Sequence, residues 1–339
     1  MKTRSFVLGI CLLAGIAFSA SAQDSGFRIA AYNVENLFDM SDDPGTDDKE
    51  YCFKGKKFWT TVRYNTKLRN IAKVVNTMNY SYKGGDIVVL SEVENRKVVE
   101  DLIGKTELAD DNYGIIHGES ADERGIDVAM IYDKTFFTPV KTSFYRIKEF
   151  QTRDIVYTGF STPSGKVIHV FGVHMPSMRG GAQKSEALRM TVAGLLKEKV
   201  DSLYKEDASA DIFICGDFNA VSGTPAMVRL GAVDPAEQGS GEGLYDLGYA
   251  YKKKSTEGSY CYKGHWQTLH HIVVSPSLLE GRGNFKVSST AQTIFSEKFL
   301  LEENLEKFGW QPFPTYRGQY YKGGFSDHLP VYIDVEPVR

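Results

Sequence analysis

The sequence predicts an α/β fold in which two packed, mixed β-sheets are flanked by helices. Short runs rich in β-branched and apolar residues recur along the chain, several of them contiguous, as in central strands covered on both faces. Three longer stretches instead repeat apolar residues at the spacing of one helical face. Strands outnumber helices, which favours two sheets over one doubly wound sheet.

The first stretch in chain order is a targeting signal. Lys2 and Arg4 precede an apolar run from Phe6 to Phe18, and Ala20-Ser21-Ala22 supplies the small residues of a cleavage site. The run is too short to span a bilayer comfortably. Cys11 follows Ile10, where a lipid-attachment signal would need a small residue. Residues 1–22 are therefore expected to be a signal peptide and the protein to be exported, periplasmic or secreted.

A strand is expected at Phe27–Tyr32, followed by an acidic surface loop from Asp39 to Glu50. Thr60–Tyr80 places Leu68, Ile71, Val74, Val75 and Met78 on one helical face. Asp86–Leu90 reads as a strand and Asn95–Ile103 as a helix. Strands follow at Asp127–Tyr132 and Val167–Val173. Ser185–Tyr204 is again helical, with Leu188, Val192, Leu195, Leu196 and Leu203 aligned. The remaining strands are Asp211–Cys215, Ile272–Val274 and Val331–Val335, with an irregular Gly- and Glu-rich region at Gly231–Gly248. No Pro- or Ser-rich linker or repeat interrupts them, so residues 23–339 are expected to form a single domain.

Composition narrows the function classes. With 42% hydrophobic and 24% charged residues, the 339-residue chain is neither disordered nor low in complexity. A mean hydropathy of −0.29 and one apolar run exclude a polytopic membrane protein. The formal net charge of −3 becomes −5 once Lys2 and Arg4 are removed, so a polyanion would have to be gripped locally rather than by bulk charge. Cys52, Cys215 and Cys261 are too few for a disulfide scaffold. Cys215 sits in an apolar run and is expected to be a buried thiol; pairing of Cys52 with Cys261 is left open.

The chemistry lies where the strands end. Successive apolar runs terminate at Asn33, Glu92, His174 and Asp217-Phe218-Asn219, and the last is entered from Asp327-His328. Such ends deliver polar groups to one rim of a layered scaffold. Glu92, Asp217 and Asp327 offer carboxylates, and Asn33 and Asn219 offer amides. Oxygen donors with open positions suit a hard cation, Mg²⁺ with Mn²⁺ as a substitute, while no CxxC or HExxH supports zinc. His174 and His328 remain for acid–base work or for donating to developing negative charge. Carboxylate, imidazole and hard metal together form the kit for in-line attack of water on phosphorus.

Ala31-Tyr32-Asn33-Val34-Glu35-Asn36-Leu37, Leu90-Ser91-Glu92-Val93-Glu94-Asn95, Arg124-Gly125-Ile126-Asp127-Val128-Ala129, Gly172-Val173-His174, Gly216-Asp217-Phe218-Asn219-Ala220 and Ser326-Asp327-His328-Leu329-Pro330-Val331 resemble, in order, the motifs of the endonuclease/exonuclease/phosphatase superfamily. The resemblance covers Phe27 to Val335. It implies a deoxyribonuclease I-like, four-layer sandwich and a Mg²⁺-dependent phosphoesterase. It further implies that Glu92 is the main metal ligand, helped by Asn33 and Asp327. Asp217 would orient or deprotonate the attacking water, with Asn219 beside it on the phosphate. His174 would stabilise the pentacovalent phosphorus, and His328 would contact the scissile phosphate or act as a base.

One position departs from the pattern. The family usually has an Asp that holds the catalytic His where this chain has His270, followed by His271 and Ile272. Losing such a carboxylate costs about 10⁴-fold in a Ser-His-Asp enzyme. Asp127 and Arg124 are expected beside the site, Asp127 either pairing with His174 or forming an ion pair at the start of its strand. Arg179, Lys184 and Arg189 offer a local phosphate-gripping patch or a solvated helix face. Tyr260, Tyr262, Trp266, Trp310, Phe313 and Tyr316 either stack on bases and sugars or pack loops. The reading is an endonuclease-like enzyme on nucleic acid, monomeric and without an obligate protein partner. The alternatives are a phosphomonoesterase or phospholipid-head-group hydrolase, and a catalytically weakened binding protein.

Overall fold

The computed structural model describes residues 25–79, 84–178, 181–237, 243–304 and 309–338. The expected signal peptide and Arg179 lie outside these residues. The strands are β1 (Phe27–Leu37), β2 (Gly85–Val93), β3 (Tyr113–His117), β4 (Asp127–Asp133), β5 (Thr138–Tyr145), β6 (Ile155–Ser161), β7 (Val167–His174), β8 (Asp211–Asp217), β9 (Ala232–Val233) and β10 (Leu244–Asp246). They continue with β11 (Tyr260–Tyr262), β12 (His265–Gln267), β13 (His270–Val274), β14 (Phe285–Val287), β15 (Thr293–Ile294), β16 (Leu301–Asn304), β17 (Gly309–Pro312), β18 (Tyr316–Arg317), β19 (Tyr320–Tyr321) and β20 (Val331–Pro337). The helices are α1 (Thr61–Asn79), α2 (Arg96–Gly104), α3 (Ala182–Glu206), α4 (Pro225–Leu230) and α5 (Pro276–Glu280).

Each of the expected strands and helices is present. One seven-stranded sheet has the order β14-β20-β1-β2-β4-β3, with β15 also on β20; the other has the order β5-β6-β7-β8-β13-β10-β9. Both are mixed. The parallel pair β1–β2 is joined by α1 and the parallel pair β7–β8 by α3, the crossover that parallel strands require. Alternation along each strand builds the layers. In β1, Ile29 and Ala31 join Ile87, Val89, Phe213, Cys215 and Ile272 in the core between the sheets. Ala30 and Tyr32 face outward to Leu68, Ile71 and Val75 of α1. On the far side, Phe171, Val173, Ile212 and Ile214 meet Val192, Ala193 and Leu196 of α3. The result is helix, sheet, sheet, helix. Cys215 is fully buried in the middle, and Cys52, Cys215 and Cys261 are all free thiols.

Local signals close the elements. Asn95 caps α2 by accepting from the Val98 N–H at 3.1 Å. Pro225 opens α4, and Gly231 ends it in the left-handed region. Gly216 is needed for close approach: with φ +145°, a Cβ there would lie 1.9 Å from the Val173 carbonyl oxygen of the neighbouring strand.

Candidate active site

Parallel pairing brings two C-terminal strand ends to the same rim. In the first sheet Asn33 lies opposite Ser91, next to Glu92; in the second His174 lies opposite Asp217. Antiparallel β13 starts at that rim, with His270 opposite Asp217. His328 lies three residues before β20 and forms an isolated bridge with Tyr260. Register breaks in β1 between Asn33 and Leu37, and in β2 between Ser91 and Val93, bend the strand ends there. Glu35, Asn36, Glu92 and Asn219 all adopt left-handed backbone, a concentration of strain held by the surrounding sheets.

Asp217 is the hub. Its Oδ2 accepts from the Asn33 amide at 3.0 Å. Three imidazole nitrogens surround the same oxygen: His270 Nε2 at 3.8 Å, His174 Nε2 at 3.9 Å and His328 Nδ1 at 4.0 Å. Its Oδ1 accepts from the Asn219 N–H at 2.9 Å. Burial opposes ionisation of Asp217, but the imidazoles and the Asn33 amide outweigh it and hold the carboxyl well below the usual range. The three histidines differ. Burial, aided by Arg153, pushes His174 well below its ordinary value. His270 is pushed down to about 3, mainly by burial. His328 is raised despite burial, because Asp327, Asp217, Glu92 and Glu35 face it. His328 therefore holds its proton more tightly than an ordinary imidazole, and His174 and His270 hold theirs less tightly.

His270 reverses the usual polarity. The Leu269 and His270 N–H groups both donate to Ser259 Oγ, at 3.0 and 3.1 Å. With both lone pairs used, the Ser259 hydroxyl hydrogen goes to His270 Nδ1 at 3.0 Å, so Nε2 carries the ring proton and faces Asp217. An Asp here would accept from His328; His270 presents a donor instead. His328 is held by packing: Tyr260 stacks on it at 4.7 Å between centroids, and the two imidazoles His270 and His328 meet edge to face at 4.9 Å. Ser326 Oγ fixes its backbone, accepting from the His328 N–H at 3.1 Å and donating to the Asn33 carbonyl at 2.7 Å.

Glu92 and Asp327 supply the oxygens for a hard cation. Glu92 accepts from the Asn36 N–H at 3.0 Å and the Asn33 amide at 3.3 Å, with the Arg124 guanidinium 3.9 Å away. Asp327 lies 3.6 Å from His328 Nε2 and is 46% exposed at the open side. Desolvation and the neighbouring Glu92 both push its carboxyl up, an excess of negative charge that a divalent cation would relieve. These two carboxylates fit a divalent cation. Asn33 is turned the other way: its amide oxygen accepts from the Glu35 N–H at 2.9 Å and its nitrogen faces both carboxylates. It therefore orients Glu92 and Asp217 as a donor. Asn219 likewise gives an amide hydrogen to the Met175 carbonyl at 3.0 Å.

Asp127, Arg189 and Tyr316 are engaged within the fold. Asp127 does not meet His174; it takes His117 Nε2 at 3.1 Å and the Ser120 N–H at 2.9 Å, because β4 enters the rim one strand away. His174 Nδ1 has no partner among the described residues. Arg189 is buried and spent on the Pro176 carbonyl at 3.0 Å and Glu186 at 2.6 Å, so it braces the loop after His174 rather than gripping phosphate. Tyr316 takes the second of its two expected roles, packing loops: it is buried against Tyr51 and Trp59.

Two structural supports were not anticipated. Arg153 donates to the His174 and Met175 carbonyls, at 3.1 and 2.7 Å, and fixes the turn after His174. His271 bonds Asp246 at 2.8 Å and lies 2.9 Å from the Ala220 carbonyl, tying down the loop that follows Asn219. A lone Arg and a second His in the sequence carried no signal for either role.

Residues 28–337 match the family model described as Endonuclease/Exonuclease/phosphatase family. A search of curated proteins finds no match. Among solved structures, an endonuclease/exonuclease/phosphatase family protein from Bacteroides thetaiotaomicron is similar, with 16% identity, a TM-score of 0.57 and coverage of 92% of this chain and 95% of that one. A mannosyl-6-phosphatase from the same species aligns at 16% identity and a TM-score of 0.54, covering 91% and 99%. The human Nocturnin catalytic domain aligns at 14% identity and a TM-score of 0.54, covering 93% and 96%. At these identities the structures show a shared fold. With the family model spanning nearly the whole chain, the protein belongs to the Endonuclease/Exonuclease/phosphatase family of phosphoester hydrolases.

Proposed function

We propose that the protein is an exported, divalent-metal-dependent phosphodiesterase that hydrolyses nucleic acid by in-line attack of water. The observation that carries this reading is Asp217: a buried, ionised carboxylate at the meeting point of three imidazoles, beside Glu92 and Asp327. Asp217 Oδ2 takes the proton of the attacking water or orients it. Neutral His174 donates from Nε2 to a non-bridging phosphoryl oxygen, and protonated His328 offsets the charge that develops in the transition state. A divalent cation held by Glu92 and Asp327 would supply Lewis-acid stabilisation of the phosphoryl and leaving oxygens. Trp266, Trp310 and Leu329, the residue after His328, line a cavity of about 570 Å³, room for a base or sugar of the substrate.

A phosphomonoesterase is the second reading. It is favoured by the negative net charge, which gives no bulk attraction for a long polyanion. The test is a panel of supercoiled plasmid, single-stranded DNA, RNA, bis(p-nitrophenyl) phosphate, p-nitrophenyl phosphate and sphingomyelin, each with Mg²⁺, Mn²⁺ or EDTA. Plasmid nicking supports the first reading; turnover of monoesters alone supports the second. Export is tested by N-terminal sequencing of the protein from the native host, where Gln23 is the expected first residue. Among the described residues no helix is long and apolar enough to cross a membrane.

A further inference from the structure

The loop after β1 carries five aspartates between residues 39 and 48, and two of them are buried there. Asp48 is 1% exposed, and Glu94, just past the end of β2, is 3% exposed. Each has one oxygen satisfied: Asp48 Oδ2 by the Asp43 N–H at 2.8 Å, Glu94 Oε2 by the Asp39 N–H at 2.7 Å. The other two, Asp48 Oδ1 and Glu94 Oε1, are buried without a partner among the described residues. Asp43, Asp48 and Glu94 each present a carboxylate oxygen within 4.8 Å of the others. The guanidiniums on this rim are engaged elsewhere, Arg124 with Glu92 and Asp122, and Arg153 with Asp122.

Burying unpaired carboxylate oxygens side by side as anions is unfavourable unless they take up a proton or a cation joins them. We propose that Asp43, Asp48 and Glu94 form a Ca²⁺ site separate from the reaction centre. Donors that are all oxygen call for a hard ion, and the dry, loop-borne setting favours Ca²⁺. Ca²⁺ accepts many protein oxygens in flexible geometry, whereas Mg²⁺ retains several waters. The ion clamps the loop after β1 onto the end of β2, two residues beyond Glu92. This assignment does not depend on the reaction proposed above.

The test uses the purified protein stripped with EDTA and desalted, with calorimetric titration and thermal melts in Ca²⁺ and in Mg²⁺. One Ca²⁺ should bind per chain and raise the melting temperature by about 5 °C at 100-fold excess over Kd. Glu94→Gln and the milder, half-buried Asp43→Asn should each abolish that shift, while Glu92→Gln should retain it. Ca²⁺ binding that survives Glu94→Gln and Asp43→Asn, or disappears in Glu92→Gln, would overturn the site. So would a shift in Mg²⁺ equal to that in Ca²⁺, or no shift at all.

Discussion

Asp217 is fully buried yet ionised, and the chemistry proposed for the rim turns on that combination. Asp217→Asn keeps the size and one of the two hydrogen bonds, since its single amide oxygen cannot accept from both Asn33 and Asn219, and it removes the base. Turnover should fall by about 10²–10⁴-fold with an unchanged circular dichroism spectrum. His270 is the informative partner. It puts an N–H where a carboxylate would accept, so His328 owes its position to Tyr260 and Ser326. His270→Asp restores an acceptor and a fixed charge next to His328, which should push its pKa further up. The pH–rate profile in Mg²⁺ should then shift to higher pH, and kcat should rise tenfold or more; a profile identical to the parent's would refute this account of His270. The sequence disclosed the identity of these side chains but not their tautomers, which depend on Ser259, a residue eleven positions away with no motif around it.

The rim exists because two parallel strand pairs, each with its crossover helix, end side by side. That architecture was legible from the sequence where strands are buried on both faces, as in Ile87–Leu90 and Ile212–Cys215. It was not legible in β5, an edge strand whose Lys, Thr and Ser side chains are largely exposed and give no contiguous apolar run. The partner of Asp127 was left open for a related reason. Sequence proximity to Arg124 says nothing of which neighbouring strand supplies its partner, and β3 supplied His117. The contact between β7 and β8 that sets His174 opposite Asp217 has no room for a side chain at Gly216. Gly216→Ala should therefore destabilise by roughly 3 kcal/mol or more, or prevent folding, as read by urea denaturation. A loss below 0.5 kcal/mol would mean that the strands can part without consequence.

Across the molecule, stability should depend on pH through carboxyls buried away from the rim. Asp86 is raised to about 7, chiefly by burial, and accepts from the Tyr113 hydroxyl at 2.6 Å. Its folded pKa lies above its unfolded value of about 3.9. The folded state therefore binds the proton more tightly, and this group's contribution to stability is lost as pH rises from about 4 to 7. Asp86→Asn should flatten that decline in melts taken across the interval. The four layers and the rim of Asn33, Glu92, His174, Asp217 and His328 follow from the sequence, whereas the reaction they perform needs a direct assay. The most direct is nicking of supercoiled plasmid in Mg²⁺ by the parent protein and by Asp217→Asn. The account predicts nicking by the parent that vanishes with EDTA and falls at least a hundredfold in Asp217→Asn. Equal nicking by the two proteins, or nicking that persists in EDTA, would contradict it.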